Sequence, residues 1–386
     1  TKISIFSNYL LAIEISIVMM LGISPLCRGA NIMIRRSIRD RISSPAFLAL
    51  AVGAVALFSG KILPDLVSSR QEQAILEIAN QQGSYRADDS LPGKPIVKVD
   101  LSFTTVDHAG LELVSNLPQL RILSLTETEA DDEDLNRLGR LTELRSLNLM
   151  CTRIRGNGLA HLRGLKQLQH LNLKCTTLTE QAIGHLLNLE SLQTLNLGKT
   201  GINDGALSYF QQAGNPDAGD PRRGGLVELV SLNLQGTLIQ GYGLSYLKDM
   251  EKLESINLSN TRINDEGLAA ISALDNLRSL DLSYTKITDQ GLPNLNACRK
   301  LQLFDVGFTK LTGQGLAKLD EAENVEAINM PGCIVNDEAM LHFGNFPKLV
   351  VLNLARNKLT DAAMPRLCSY VNLTHLSLSE NPISDA

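Results

Sequence analysis

The residues with the most chemical character in this chain recur in columns. One column runs Asp100, Ser124, Asn148, Asn172, Asn196, Asn233, Asn257, Asp281, Asp305, Asn329, Asn353 and Ser377. Its amides and carboxylates can bond to one another along a sheet or to the backbone of a partner. A second column, three residues further on, runs Phe103, Glu127, Cys151, Cys175, Lys199, Gly236, Asn260, Tyr284, Phe308, Gly332, Arg356 and Glu380. Aromatic and Arg side chains dominate interface energetics, so Tyr284, Phe308 and Arg356 are the candidate anchors. Asn148, Asn172, Asn196, Asn233, Asn257, Asp281 and Lys174 are the polar candidates beside them. Cys151 and Cys175 share a column in neighbouring units and stand as either two free thiols or a bridge. His161 and His185 also share a column, but a His pair with no third donor reads as surface. No G-x-x-x-x-G-K-[ST], H-E-x-x-H, G-x-S-x-G or G-x-G-x-x-G is present. No catalytic, cofactor-binding or metal-binding residue is assigned, and the chain is read as a non-enzyme.

These columns exist because the sequence repeats. Thr104, Thr128, Thr152, Thr176 and Thr200 are spaced 24 residues apart, and the frame resumes at Thr237, Thr261, Thr285 and Thr309 before Cys333, Asn357 and Asn381. Within a unit, Leu280 and Leu282 alternate with Ser279, Asp281 and Ser283, the period of a strand with one buried face. Thr285 marks the turn out of the strand, its hydroxyl placed to bond the adjacent coil, and Ile287 points back inside. Thr288 stands where other units have Asp107, Asp131, Asn203 or Asn264, all residue types that cap a helix start. Arg155 and Gln240 are the exceptions. Leu292 and Leu295 then share one helix face. Each unit is strand, turn, short helix and return, and it buries its apolar side only against its neighbours.

The shared template, roughly L-x-x-L-x-L-x-x-T-x-I-T-D-x-G-L, resembles the leucine-rich repeat, with Ile287 to Leu292 and Ile263 to Leu268 as its turn. It is similar to the 24-residue bacterial type of membrane-anchored, planctomycete-like repeat proteins, and to the repeats of F-box proteins. The chain lacks an F-box-like helical module. The resemblance implies an α/β solenoid with a parallel inner sheet and short outer helices, and a partner bound on the concave wall. Such a wall would run about 50 Å along the stack at roughly 4.8 Å per strand. The partner expected is a protein or a surface glycan. The alternative is a substrate-recruiting adaptor of a ubiquitin ligase whose F-box is absent from this chain.

Residues before the repeats read differently. An apolar run at 45–67 follows Arg28, Arg35, Arg36, Arg39 and Arg41, the order of a signal anchor that leaves the repeats outside the cytoplasm. Cleavage of the signal and secretion is the alternative, and 3–26 is a second apolar stretch with Met33 as a rival start. Residues 68–96 are expected to form a capping helix, with Ala74, Ile75, Ile78 and Ala79 on its apolar face, and then a loop. The solenoid occupies 97–386 in twelve units, with an inserted loop at about 211–225. Leu376 and Leu378 lack a following coil, which leads one to expect a continuation or a second chain there. Cys298 and Cys333 replace core or template residues and read as buried. Net charge is −5, aromatics are 4% and Trp is absent, which argues against nucleic acid.

Overall fold

The computed structural model describes residues 70–211, 225–319 and 322–384. The chain divides at Ser68, and the unit from Ser69 onward contains all of the described residues. The apolar stretches at 3–26 and 45–67, and most of the inserted loop, lie outside them. Among the described residues no helix is long and apolar enough to cross a membrane.

The repeat unit folds as a coil. Twelve strands pair in parallel and in sequence order: β2 (Ile96–Asp100), β3 (Ile122–Ser124), β4 (Ser146–Asn148), β5 (His170–Asn172), β6 (Thr194–Asn196), β7 (Ser231–Asn233), β8 (Ser255–Asn257), β9 (Ser279–Asp281), β10 (Leu303–Asp305), β11 (Ala327–Asn329), β12 (Val351–Asn353) and β13 (His375–Ser377). The register never slips: Leu147 faces Leu171, Leu171 faces Leu195, and Leu195 faces Leu232 across the inserted residues. These leucines are at most 1% exposed and belong to one continuous apolar cluster. Each such burial is worth roughly 1.5–3 kcal/mol. The equivalent Leu376 in β13 is 43% exposed.

A strand precedes these twelve where the sequence reads as loop. β1 (Ser84–Ala87) runs antiparallel to β2, with Tyr85 opposite Val99 and a register irregularity between Arg86 and Ala87. Asp88 closes the hairpin, its N–H donating to the Pro95 carbonyl and its carboxylate accepting from the Ser90 N–H and hydroxyl. The run is short and its side chains are mostly exposed, so no hydrophobic alternation announces it. Its role is physical: it pairs the free edge of β2, which would otherwise offer unsatisfied backbone groups. The helix at 70–80 forms as expected. Ala74 and Ile78 are buried in the common core and Ile75 packs against it, but Ala79 is exposed.

The turn threonines also differ from expectation. Thr152, Thr176, Thr200, Thr237 and Thr261 each donate from Oγ1 to the carbonyl three residues back in their own coil, at 2.6–2.7 Å. A short side chain three residues past the strand reaches its own carbonyl first. Where Asn or Cys stands in that column the coils are bridged: Asn357 Nδ2 donates to Met330 O and its Oδ1 accepts from Val335 N–H, and Cys333 Sγ donates to Val306 O at 3.2 Å.

The T-D-x-G-L turn is explained by the contact between coils. Asp265 Oδ1 and Oδ2 accept from the N–H and hydroxyl of Thr288 in the next coil, at 2.8 and 2.7 Å. Asp289 and Thr312, and Asp337 and Thr360, repeat the pair. The glycine leaves room for that aspartate: a Cβ on Gly315 would lie 2.7 Å from Asp289 Cα. At the two positions lacking a capping residue, Arg155 and Gln240, the preceding Asp carries the start of the helical segment alone. The buried Asp204 accepts from Gln240, Gly241 and Gly243 N–H at 2.7, 2.9 and 2.8 Å.

Candidate functional site

The sheet has one face on the core and one face free of the described chain, and the candidate residues lie on or beside the free face. Their behaviour separates into three groups.

The amide column is tied to its own backbone. Oδ1 of Asn148, Asn172, Asn196, Asn233 and Asn257 accepts the N–H two residues on, at 2.9–3.1 Å, and Asp281 accepts from Ser283 N–H and Oγ–H. The expected cross-strand ladder appears only further along. Asn257 Nδ2 donates to Asp281 Oδ2 at 2.8 Å, Asn329 Nδ2 to Asp305 Oδ2 at 2.5 Å and Asn353 Nδ2 to Asn329 Oδ1 at 2.7 Å. Pro331 has no N–H, so Asn329 Oδ1 lacks the own-backbone bond of the other amides and accepts from Asn353 instead. Among the described residues the amides from Asn148 to Asn233 make no such bond to the next strand. Lys174 Nζ instead spans Gly198 and donates to Gln235 Oε1 at 3.2 Å.

The rim column is left-handed throughout. Phe103, Glu127, Cys151, Cys175, Lys199, Asn260, Tyr284, Phe308, Arg356 and Glu380 have φ from 53° to 63°, as Gly236 and Gly332 do at 65° and 62°. A non-glycine residue there costs about 1–2 kcal/mol. Only the Gly and Asn members carry the residue type that marks such a conformation, so the strain was not visible in the sequence. The conformation accompanies the sheet bonding: from Phe103 to Arg356 each rim N–H continues it to the next coil, as Tyr284 N–H does to Gly307 O at 2.9 Å.

Of the three anchors, two come together. Tyr284 and Phe308 stack with ring centroids 4.5 Å apart and planes at 13°, and Tyr284 remains 57% exposed. The far side of Phe308 lies against Gly332, where a Cβ would meet Phe308 Cε1 at 2.5 Å. Arg356 does not join them. Its Nε donates to Glu380 Oε1 at 2.8 Å, one coil further along.

The thiols at Cys151 and Cys175 are free and half-buried. Burial, then the hydrogen bond to Cys175, pushes the Cys151 thiol up. Cys298 and Cys333 are buried as expected, and burial raises Cys298 to about 11. His161 lines a shallow hollow on the helical side with Glu112, Arg137 and Arg140. Among the described residues the one trio that could approach a cation is a different one, His108, Asp131 and Asp134. Its donors are already used. Asp134 Oδ1 accepts from His108 Nδ1 at 2.6 Å and from Arg137 at 3.3 Å, and its Oδ2 closes a capping box with Asp131. The Asp134 hydrogen bond holds His108 above the usual imidazole range.

Sequence reasoning missed two features of the free face. Leu303 and Val351 sit at the opposite margin from the rim, 51% and 40% exposed. Asp305, in the amide column, has its carboxyl raised by burial and by the Asp281 charge, against the opposing bond from Asn329.

Two leucine rich repeat family models match the chain, one over residues 227–287 and one over 371–386. No curated protein matches it. Among solved structures it is similar to an internalin of Listeria monocytogenes, at 20% identity and TM-score 0.54, covering 81% of this chain and 90% of that one. It is also similar to a chain of the mouse RP105/MD-1 complex, at 18% identity and TM-score 0.54, covering 75% of this chain and 47% of that one. A leucine-rich-repeat protein of Leptospira interrogans aligns at 17% identity and TM-score 0.49, over 73% and 76% of the two chains. At such identities the likeness is one of fold. The matched segments carry leucine rich repeats, and the parallel-sheet coil of this chain is similar in fold to the internalin and the RP105 complex chain.

Proposed function

We propose that the chain is a protein-binding scaffold that displays the free face of its sheet outside the cytoplasmic membrane, held there by the apolar segment at 45–67. The observation that carries the binding reading is the stacked Tyr284–Phe308 pair, with Tyr284 exposed and Phe308 half-buried on the margin of a sheet face that no described segment covers. Large rings beside a rigid, register-locked sheet are suited to interface anchoring without conformational change. The mouse relative, solved as a complex with MD-1, supports use of this fold for a protein partner. A glycan partner is less well served, because sugar stacking needs an open ring face, while these rings turn faces toward each other and Phe308 covers Gly332. Membrane display rests on the sequence order of basic residues and apolar run, and the same grounds favour the bacterial repeat type over the adaptor reading.

Two measurements test it. A photo-crosslinking residue at Ser255 or Ser279, on the free face, should capture a protein partner, whereas one at Arg163 or Gln290, on the helical side, should not. Capture only from the helical side overturns the binding reading. Protease added to intact cells should digest the repeats of the full chain; protection that persists until the membrane is opened overturns display and favours the adaptor.

A further inference from the structure

We infer that the free face from β9 to β12 is a docking site for an extended peptide segment bearing lysine or arginine. This rests on the scaffold reading above and names the chemistry of the partner.

Three properties of this stretch converge. The first is unmatched charge. Asp281 and Asp305 lie directly opposite each other on neighbouring strands, and like charges so placed repel. Among the described residues, the hydrogen bonds they accept come from neutral donors: Asn257 and Ser283 for Asp281, Gly307 N–H and Asn329 for Asp305. Among the described residues no basic side chain forms an ion pair with either. A cation set over the pair would relieve the repulsion and gain charge-assisted hydrogen bonds. The second is shape. Between the carboxylates and the rim the floor consists of Ser283, Gly307, Pro331 and Ala355, small residues that let another backbone approach. The third is the apolar margin. Tyr284 and Phe308 stand on one side and Leu303 and Val351 on the other, where the methylene stem of a long cationic side chain can lie.

Other occupants fit less well. A metal ion needs more oxygen donors than these two carboxylates provide, and they form no donor trio with another residue. Anionic lipid and nucleic acid would be repelled. The stretch from β5 to β6 shows the converse charge, with Lys174 in the floor column and Lys199 in the rim.

Fluorescence anisotropy of the full chain with labelled hexalysine and hexaarginine, against hexaglutamine and hexaglutamate, tests the assignment. The cationic peptides should bind saturably, and D281N/D305N should weaken them by ~10-fold or more. Each Asn keeps the bond to its own backbone, as elsewhere in the column, but gives up the cross-strand bond from Asn257 or Asn329, so affinity is compared at a temperature where a melt shows the variant folded. E143Q/E266Q removes two exposed acids from elsewhere and should change affinity by less than about twofold. Y284S/F308S should weaken binding with no change in its salt dependence. Absence of saturable binding, or equal weakening by both acid-removing pairs, overturns the proposal. If the peptides fail while crosslinks from Ser255 or Ser279 persist, the partner chemistry is wrong and the scaffold reading stands. If the crosslinks fail as well, both fall.

Discussion

The wall from β3 to β7 and the wall from β9 to β12 are built on the same skeleton and carry different surfaces. Both bury leucine, isoleucine or phenylalanine at the strand centre to 2% exposure or less, and both hold their coils together with the same forward-reaching aspartates. The earlier stretch presents amides folded onto their own backbone, two lysines and two thiols. The later one presents paired carboxylates, stacked rings and exposed aliphatic side chains. The helical side changes too, from α-helical segments such as Asp132–Leu138 and Glu180–Leu186 to short 3-10 segments such as Leu292–Ala297 and Gln314–Lys318. The lesson is that the repeat specifies the scaffold, and individuality is confined to columns the core does not use. A binding site in such a chain is found where the template is loosest.

The sharpest way to break that comparison is to show that the skeletons are not equivalent. Leu195→Ala in β6 and Leu280→Ala in β9 should each cost ~2–5 kcal/mol, and urea midpoints shifted by very different amounts would refute equivalence. Next, Asp204→Ala leaves three N–H groups without an acceptor and should cost about 2–3 kcal/mol, measured in the same titration. Asp289→Ala frees one N–H and one hydroxyl and should cost less. The rim gives a smaller contrast with a sign. Cys175→Gly removes left-handed strain and should stabilise by about 1 kcal/mol, whereas Tyr284→Gly also loses the stack, worth ~0.5–1.5 kcal/mol, and should gain little. The smallest effect is pH-dependent. Burial raises the Asp305 carboxyl, so its ionisation opposes folding once pH climbs past the ordinary carboxylate value of 3.8. Asp305→Asn gives up the bond from Asn329 at either pH, so the expected outcome lies in the slope: relative to wild type it should gain stability as pH rises from 3 to 7. Thermal melts at the two pH values check it.

How much of this was legible beforehand depended on whether a residue's role lay within its own unit. The strand centres, the turn positions and the closeness of Tyr284 to Phe308 follow from the 24-residue spacing, because a column in sequence is a column in space. The aspartate of T-D-x-G-L was visible as a motif, yet its partner lies in the next coil, where nothing marks Thr288 or Gln240 as its donor. The left-handed rim was hidden because Phe103, Cys151 and Tyr284 are residue types that avoid that conformation. The pairing of Arg356 was hidden for a related reason: column membership says what is adjacent, and of its neighbours Glu380 is the match for a guanidinium. β1 escaped notice because four mostly exposed residues carry no alternating pattern.

The turn aspartates that join the coils all point one way. The acceptor belongs to the earlier coil and the donors to the later one, from Asp132 and Gly156 to Asp361 and Ser384. Cutting the stack between two coils therefore leaves unlike wounds: a bare carboxylate that water readily satisfies on one fragment, and a helical segment with its opening amides unclaimed on the other. Shortened from its amino-terminal side, the array should fray at the cut; shortened from the opposite side, it should stay closed.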